Sequence, residues 1–298
     1  MSDENPIRPL RAYPPSQLKR AWDAIARDRV TLVSLVFICF VISLAALGPL
    51  LAPYSYSRQD LFSILQPPSS KYLLGTDQLG RDLLSRILYG TGISMTVAVV
   101  TSFTALFFGT TYGAISGYVG GRVDAVMMRF VDVVYSFPDL LLIIFLTVVI
   151  GRGMPAIVVA LSLVSWVSVA RLIRGEVLRI KEQQFIEAAR AMGASHGAII
   201  LRHILPGAIG PLIVTLTFRI PAVILAESTL SFIGLGVEPP KPSWGSLARE
   251  GWTLIRFNPH MIVFPALFIT LTMFAFNFLG DGLRDALDVK RKYEVKKV

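Results

Sequence analysis

Four stretches of the 298-residue chain contain no Asp, Glu, Lys or Arg: residues 30–54, 87–121, 153–170 and 257–280. A run of about 18 such residues is long enough to cross about 30 Å of hydrocarbon as a helix. The runs are too long for buried strands, and they recur too often for one soluble core. Composition agrees, with 53% hydrophobic residues, 16% charged residues and a mean hydropathy of +0.60, against about 25% charge in a soluble domain. The fold class is therefore all-α integral membrane, with about six transmembrane helices.

The expected spans are 30–51, 92–117, 130–150, 155–173, 205–234 and 259–279. The first run is longer than a signal-peptide core and reads as an uncleaved first span. Counting Lys and Arg in the segments between spans gives twenty on the side of the two termini and eight on the other. That bias places both termini in the cytoplasm. The net charge of +9 follows from topology and does not call for nucleic acid as a partner. Leu18, Trp22, Ile25 and Ala26 recur at helical spacing within 11–29, as in an interfacial helix lying on membrane lipid. The chain thus divides into a cytoplasmic segment 1–29, a first span 30–54, an external loop 55–91 containing an amphipathic helix, a transmembrane core 92–281 that includes a cytoplasmic loop 182–206, and a basic tail 282–298.

The cytoplasmic loop between spans four and five has its own pattern. Phe185, Ala189 and Met192 follow i, i+4, i+7, which predicts a short helix with one apolar stripe. Gly193 can stop that helix and Ser195 can cap a second one carrying Ile199, Ile200 and Ile204. Pro206 suits the first turn of the next span. The small residues Ala188 and Ala189 leave room for close approach by another protein. On these residues alone, a loop that merely lies on lipid headgroups is equally compatible.

Outside the membrane, Thr76 or Asp77 can cap a helix in which Asp77/Arg81 and Asp82/Arg86 form i, i+4 pairs. These four charged residues are candidates for an external rim, or for a structural elbow before span two. Asp132, Asp139, Arg219 and Glu227 fall within or near spans, where charge is expensive and needs a partner or a wet cavity. Arg219 and Glu227 lie eight residues apart, roughly 80° around a helix, and are candidates for a translocation path or a subunit interface. An interhelical ion pair is the alternative. Gly109, Gly113 and Gly117 form a small-residue stripe for close packing, within the subunit or against another. Pro138 is expected to kink span three.

No Gly is followed directly by Lys, so a P-loop is absent. Three histidines and the single Cys39 form no metal-ligand pattern, and no catalytic constellation stands out. The chain reads as a non-enzyme.

The cytoplasmic loop resembles the EAA loop of ABC importer permeases, in Glu187-Ala188-Ala189, Gly193 and Leu205-Pro206. Leu74-Gly-Thr-Asp-Gln-Leu-Gly-Arg-Asp-Leu-Leu-Ser-Arg86, Gly117-Tyr-Val-Gly-Gly-Arg-Val-Asp124, Pro240-Lys-Pro-Ser-Trp-Gly245 and Gly280-Asp-Gly-Leu-Arg-Asp-Ala-Leu-Asp288 resemble the C-type permease of binding-protein-dependent dipeptide and oligopeptide importers. Leu230-Ser-Phe-Ile-Gly-Leu-Gly236 leans towards the oligopeptide branch. The resemblance implies a type I permease architecture in the bacterial cytoplasmic membrane and transport of peptides by alternating access. It implies four kinds of partner: a second homologous permease subunit, two ATPase subunits, an external substrate-binding protein and the peptide substrate. ATP and Mg would be bound by the ATPase subunits, and this chain would bind no cofactor. The EAA-like residues would couple to the ATPases. Nickel or glutathione as cargo within the same family, and a proton-coupled secondary transporter using Arg219 and Glu227, are the alternative readings.

Overall fold

In hydrocarbon no water satisfies the backbone, so a spanning segment must make its own hydrogen bonds, and long apolar runs become helices. The computed structural model describes residues 22, 25, 26 and 28–287. Among these, the spanning elements are α1 (Arg29–Leu51), α2 (Leu83–Val119), the pair α3 (Gly121–Tyr135) and α4 (Asp139–Ile150), α5 (Met154–Lys181), α8 (Ile209–Phe232) and α10 (His260–Leu287). Five single helices are long and apolar enough to cross a membrane, and the bent pair α3–α4 passes the same test when its two helices are taken together, which gives up to six spans. Between them lie α6 (Gln184–Ala191), α7 (His196–Ile199) and α9 (Trp244–Trp252).

The helix ends follow from local chemistry. Asp28 caps α1 by accepting hydrogen bonds from the amides of Val30 and Thr31. Asp82 caps α2, accepting from the Ser85 amide at 2.8 Å and its hydroxyl at 2.6 Å. The helix that carries the second span therefore begins at Leu83, ahead of the expected span start at residue 92, and among the described residues no separate amphipathic helix precedes it. Residues 75–82 are a tight loop instead, with positive φ at Gly75 and Gly80. The third span is broken rather than kinked: α3 and α4 meet at 85° across 136–138, with Pro138 immediately before α4. Most of the expected interfacial helix 11–29 and the tail beyond residue 287 lie outside the described residues. Of the former, Ile25 is buried in the main core and Trp22 is exposed.

The glycine stripe of α2 packs within the subunit. A Cβ at Gly109 would sit 2.5 Å from Val169 Cβ, and one at Gly117 would sit 2.9 Å from the Arg174 carbonyl oxygen. At Gly113 it would overlap the Ala170 carbonyl oxygen. Absent side chains let α2 and α5 touch backbone to backbone. One apolar core, including Ile38, Ala98, Leu161, Ile224 and Phe276, joins α1, α2, α5, α8 and α10 in the bundle. A second, including Ile173, Val177, Ile186, Ile199 and Ile204, gathers at the end where α6 and α7 lie.

Candidate functional site

The loop between α5 and α8 is a helix-turn-helix fixed to the bundle. Gly193, at φ +82°, follows α6 as its C′ residue. Its amide bonds to the Arg190 carbonyl at 3.0 Å, and the Ala194 amide bonds to the Ala189 carbonyl at 3.1 Å, which is a Schellman termination. Ser195 caps α7 by accepting from the Ala198 amide at 3.3 Å. The inward face of α6 differs from the expected stripe: Ile186 and Ala189 are buried, whereas Phe185 and Met192 are exposed. Spacing alone offers both pairs, and the bundle takes the one whose neighbours include Ile199, Ile204 and Ile180. Glu187, Ala188, Arg190, Met192 and Gly193 consequently share the outward surface, and Pro206 is exposed while Leu205 packs against the second core. Tyr118, at the end of α2, reaches this loop: its hydroxyl lies 2.8 Å from His196 Nδ1, and Arg190 lies over its ring. Arg174 on α5 grips Asp124 on α3 with two bonds of 2.5 and 2.6 Å, and Lys181 donates to the Gly117 carbonyl at 2.8 Å. The stalk below the loop is thereby tied to its neighbours.

At the opposite end the four charged rim candidates are buried. Arg81 Nε and Arg86 Nη1 each lie 2.6 Å from Asp77 Oδ2. Both arginines also reach Glu250 of α9, Arg86 Nη2 donating at 3.0 Å to Oε1 and Arg81 Nη2 at 3.3 Å to Oε2. Asp82 serves as the cap of α2 and forms no ion pair with Arg86. The expected Asp77/Arg81 pair exists in a turn, not a helix, and Glu250 is the member that sequence reasoning missed. These residues hold the loop against α9 and do not themselves form the outer surface.

Glu227 and Arg219 are not partners. Glu227 is fully buried inside the subunit, accepting from Ser231 Oγ at 2.7 Å and Ser94 Oγ at 3.4 Å. Ser94 in turn accepts from the Trp244 amide, and Ser243 bonds Ser231. The carboxyl thus organises the hydroxyls that seat the start of α9. Its burial within this subunit speaks against the expectation that Glu227 faces a path or a partner subunit, and its hydrogen-bond partners are serine hydroxyls rather than the cation of an interhelical ion pair.

Arg219 lies instead at a cavity of about 190 Å³ beneath the α3–α4 break, lined among others by Tyr135, Asp139, Ser165, Ser168 and Ala222. Its Nη2 donates to the Ser165 carbonyl at 2.6 Å and to the Ser168 hydroxyl. Asp132, on the same side, pairs with Arg171 at 2.5 Å. Tyr135, Asp139, Ser168 and Ala222 are exposed on this face. Among the described residues no group of three His, Cys, Asp or Glu side chains is placed to hold a metal ion.

Residues 109–293 match the family described as binding-protein-dependent transport system inner membrane component. Residues 16–68 match the N-terminal transmembrane domain of oligopeptide transport permease C. The dipeptide transport system permease protein DppC of Bacillus subtilis is 43% identical over 276 residues, 92% of this chain and 86% of that protein. The oligopeptide permease OppC of the same organism is 40% identical, over 90% of this chain and 89% of its own length. The glutathione permease GsiD of Pectobacterium atrosepticum is 41% identical, over 91% and 90%. An inward-facing structure of the MetNI methionine ABC transporter has the same fold, with a TM-score of 0.56 and 22% identity over 68% of this chain and 96% of that one. With a family match across most of its length and relatives above 40% identity, this chain belongs to the inner-membrane permease components of binding-protein-dependent ABC importers.

Proposed function

We propose that this permease imports peptides in a complex with a second homologous permease, two ATPase subunits that bind ATP and Mg, and an external substrate-binding protein. It lies in the bacterial cytoplasmic membrane with both termini inside, as the Lys and Arg bias favours. The oligopeptide-type N-terminal segment favours oligopeptide cargo. The dipeptide, oligopeptide and glutathione relatives are all 40–43% identical to this chain, so identity does not rank these cargoes.

The observation that carries this reading is the two-sided α6–α7 loop. Its buried side, Ile186, Ala189, Ile199 and Ile204, is continuous with the bundle core, while Glu187, Ala188 and Met192 face outward. A loop made to rest on headgroups has no need of a rigid attachment to two spanning helices. A loop that transmits force between proteins does. Closure of the ATPases would push on this surface, and α5 and α8 would carry the movement to the Arg219 face, whose exposed polar groups at membrane depth favour reading it as the translocation path.

The test is uptake of labelled trialanine into proteoliposomes containing the full complex. Uptake that needs ATP and binding protein, and persists after the proton gradient is collapsed, is the expected result. Uptake that follows the proton gradient without ATPase subunits would restore the secondary-transporter reading.

A further inference from the structure

We propose that the cavity beneath the α3–α4 break receives the terminal carboxylate of the transported peptide on Arg219; this rests on the reading of that face as the path. Of the residues lining the cavity, Arg219 is the sole cation and Asp139 the sole anion. The guanidinium is set in place by the Ser165 carbonyl and Ser168 hydroxyl, both of which engage one nitrogen, Nη2. A guanidinium carries five N–H donors in a planar fork that matches a carboxylate, so much of its recognition capacity is left for a ligand. Tyr135, Asp139 and Ser168 open onto the subunit surface, where contact with lipid would be unfavourable. The volume, about 190 Å³, is below the roughly 300–1,000 Å³ of sites that enclose a whole drug-sized ligand. It suits one end of an extended substrate.

Asp139 completes the chemistry in two ways. The last residue of a peptide presents an amide N–H beside its carboxylate, and Asp139 can accept from it. The same carboxylate is the one negative charge in the lining that offsets Arg219.

The experiment uses the assembled, nucleotide-free importer in nanodiscs, with Cys39→Ala and Ala222→Cys in this chain, and reads maleimide labelling at position 222. Trialanine is expected to protect the thiol at concentrations about tenfold or more below those needed by trialanine amide. Arg219→Gln is expected to abolish that preference, and Arg219→Lys to retain part of it. If Arg219→Gln does not assemble, the two-peptide comparison on an otherwise unaltered site carries the test alone. Equal protection by both peptides overturns the proposal, as does a thiol that maleimide never reaches. Protection without peptide that appears in phosphatidylglycerol and not in phosphatidylcholine assigns the cavity to lipid, and also overturns it. ATP-driven trialanine uptake is measured in parallel: if uptake occurs without the preference at 222, only this site fails, whereas absent uptake removes the peptide reading itself.

Discussion

Two arginines and two carboxylates meet where the loop after α1 turns back into α2. Because Asp77 bridges Arg81 and Arg86 while Glu250 accepts from both, the cluster is neutral, and removing either acid leaves buried positive charge. Breaking a buried pair from one side typically destabilises by about 3–5 kcal/mol, so Asp77→Ala should lower the thermal stability of the purified subunit far more than Lys71→Ala, which removes an exposed ammonium from Asp60 and the Tyr72 ring. Asp60 has a separate role. Hydrogen bonds from Ser63 and Tyr72 hold its carboxyl below the usual range. A depressed folded pKa gives stability that is present above the unfolded value of about 3.9 and lost as pH falls through the folded one. Protease cleavage within residues 55–75 should therefore accelerate as pH drops below about 4, and Asp60→Asn should flatten that dependence. At this scale the sequence is a partial guide. Spacing pairs Asp77 with Arg81 correctly, but the i, i+4 rule presupposes a helix, and the positive φ of Gly75 and Gly80 makes the segment a loop. Arg86 is then free to find Glu250, a residue 164 positions away that no local rule could nominate.

The elements obey their patterns more closely. Charge-free runs mark the spans because hydrocarbon forces long apolar segments into helices, whereas their ends depend on caps that spacing leaves ambiguous, Asp82 rather than Thr76 or Asp77. Small residues predict close packing but not the partner; the α2 stripe meets α5 through Val169, Ala170 and Arg174. Two glycines make the contrast testable. Gly113→Leu forces a side chain into the Ala170 carbonyl and should destabilise the subunit by about 1–3 kcal/mol or more. On α5, a Cβ at Gly175 meets nothing within 4 Å, so Gly175→Ala should be neutral or stabilising by up to about 1 kcal/mol. Thermal unfolding in detergent distinguishes the two. The break at 136–138 was signalled by Pro138, but its 85° angle depends on how α3 and α4 pack, which composition does not encode.

Across the whole molecule, α2 has 37 residues and so runs about 56 Å, from the charged cluster at Arg86 to Tyr118 beside the α6–α7 loop. Its close contact with α5 makes a stiff pair between the two ends, and α5 and α8 lead directly from that loop to the Arg219 cavity. The EAA-like pattern pointed to the loop, but only the fold decides that Ile186 and Ala189 turn inward and Glu187 outward. The central claim is that this outward surface transmits work between ATPase and permease. Its most direct test is peptide-stimulated ATP hydrolysis by the reconstituted complex, with ATPase-subunit association measured alongside, for wild type, Glu187→Lys and Gly193→Asp. Normal membrane insertion with loss of association or of peptide-stimulated hydrolysis is the predicted result, because Glu187→Lys reverses a charge on the outward surface and Gly193→Asp adds one there while straining the φ +82° turn that ends α6. Association and stimulation that match wild type in both variants would contradict the account.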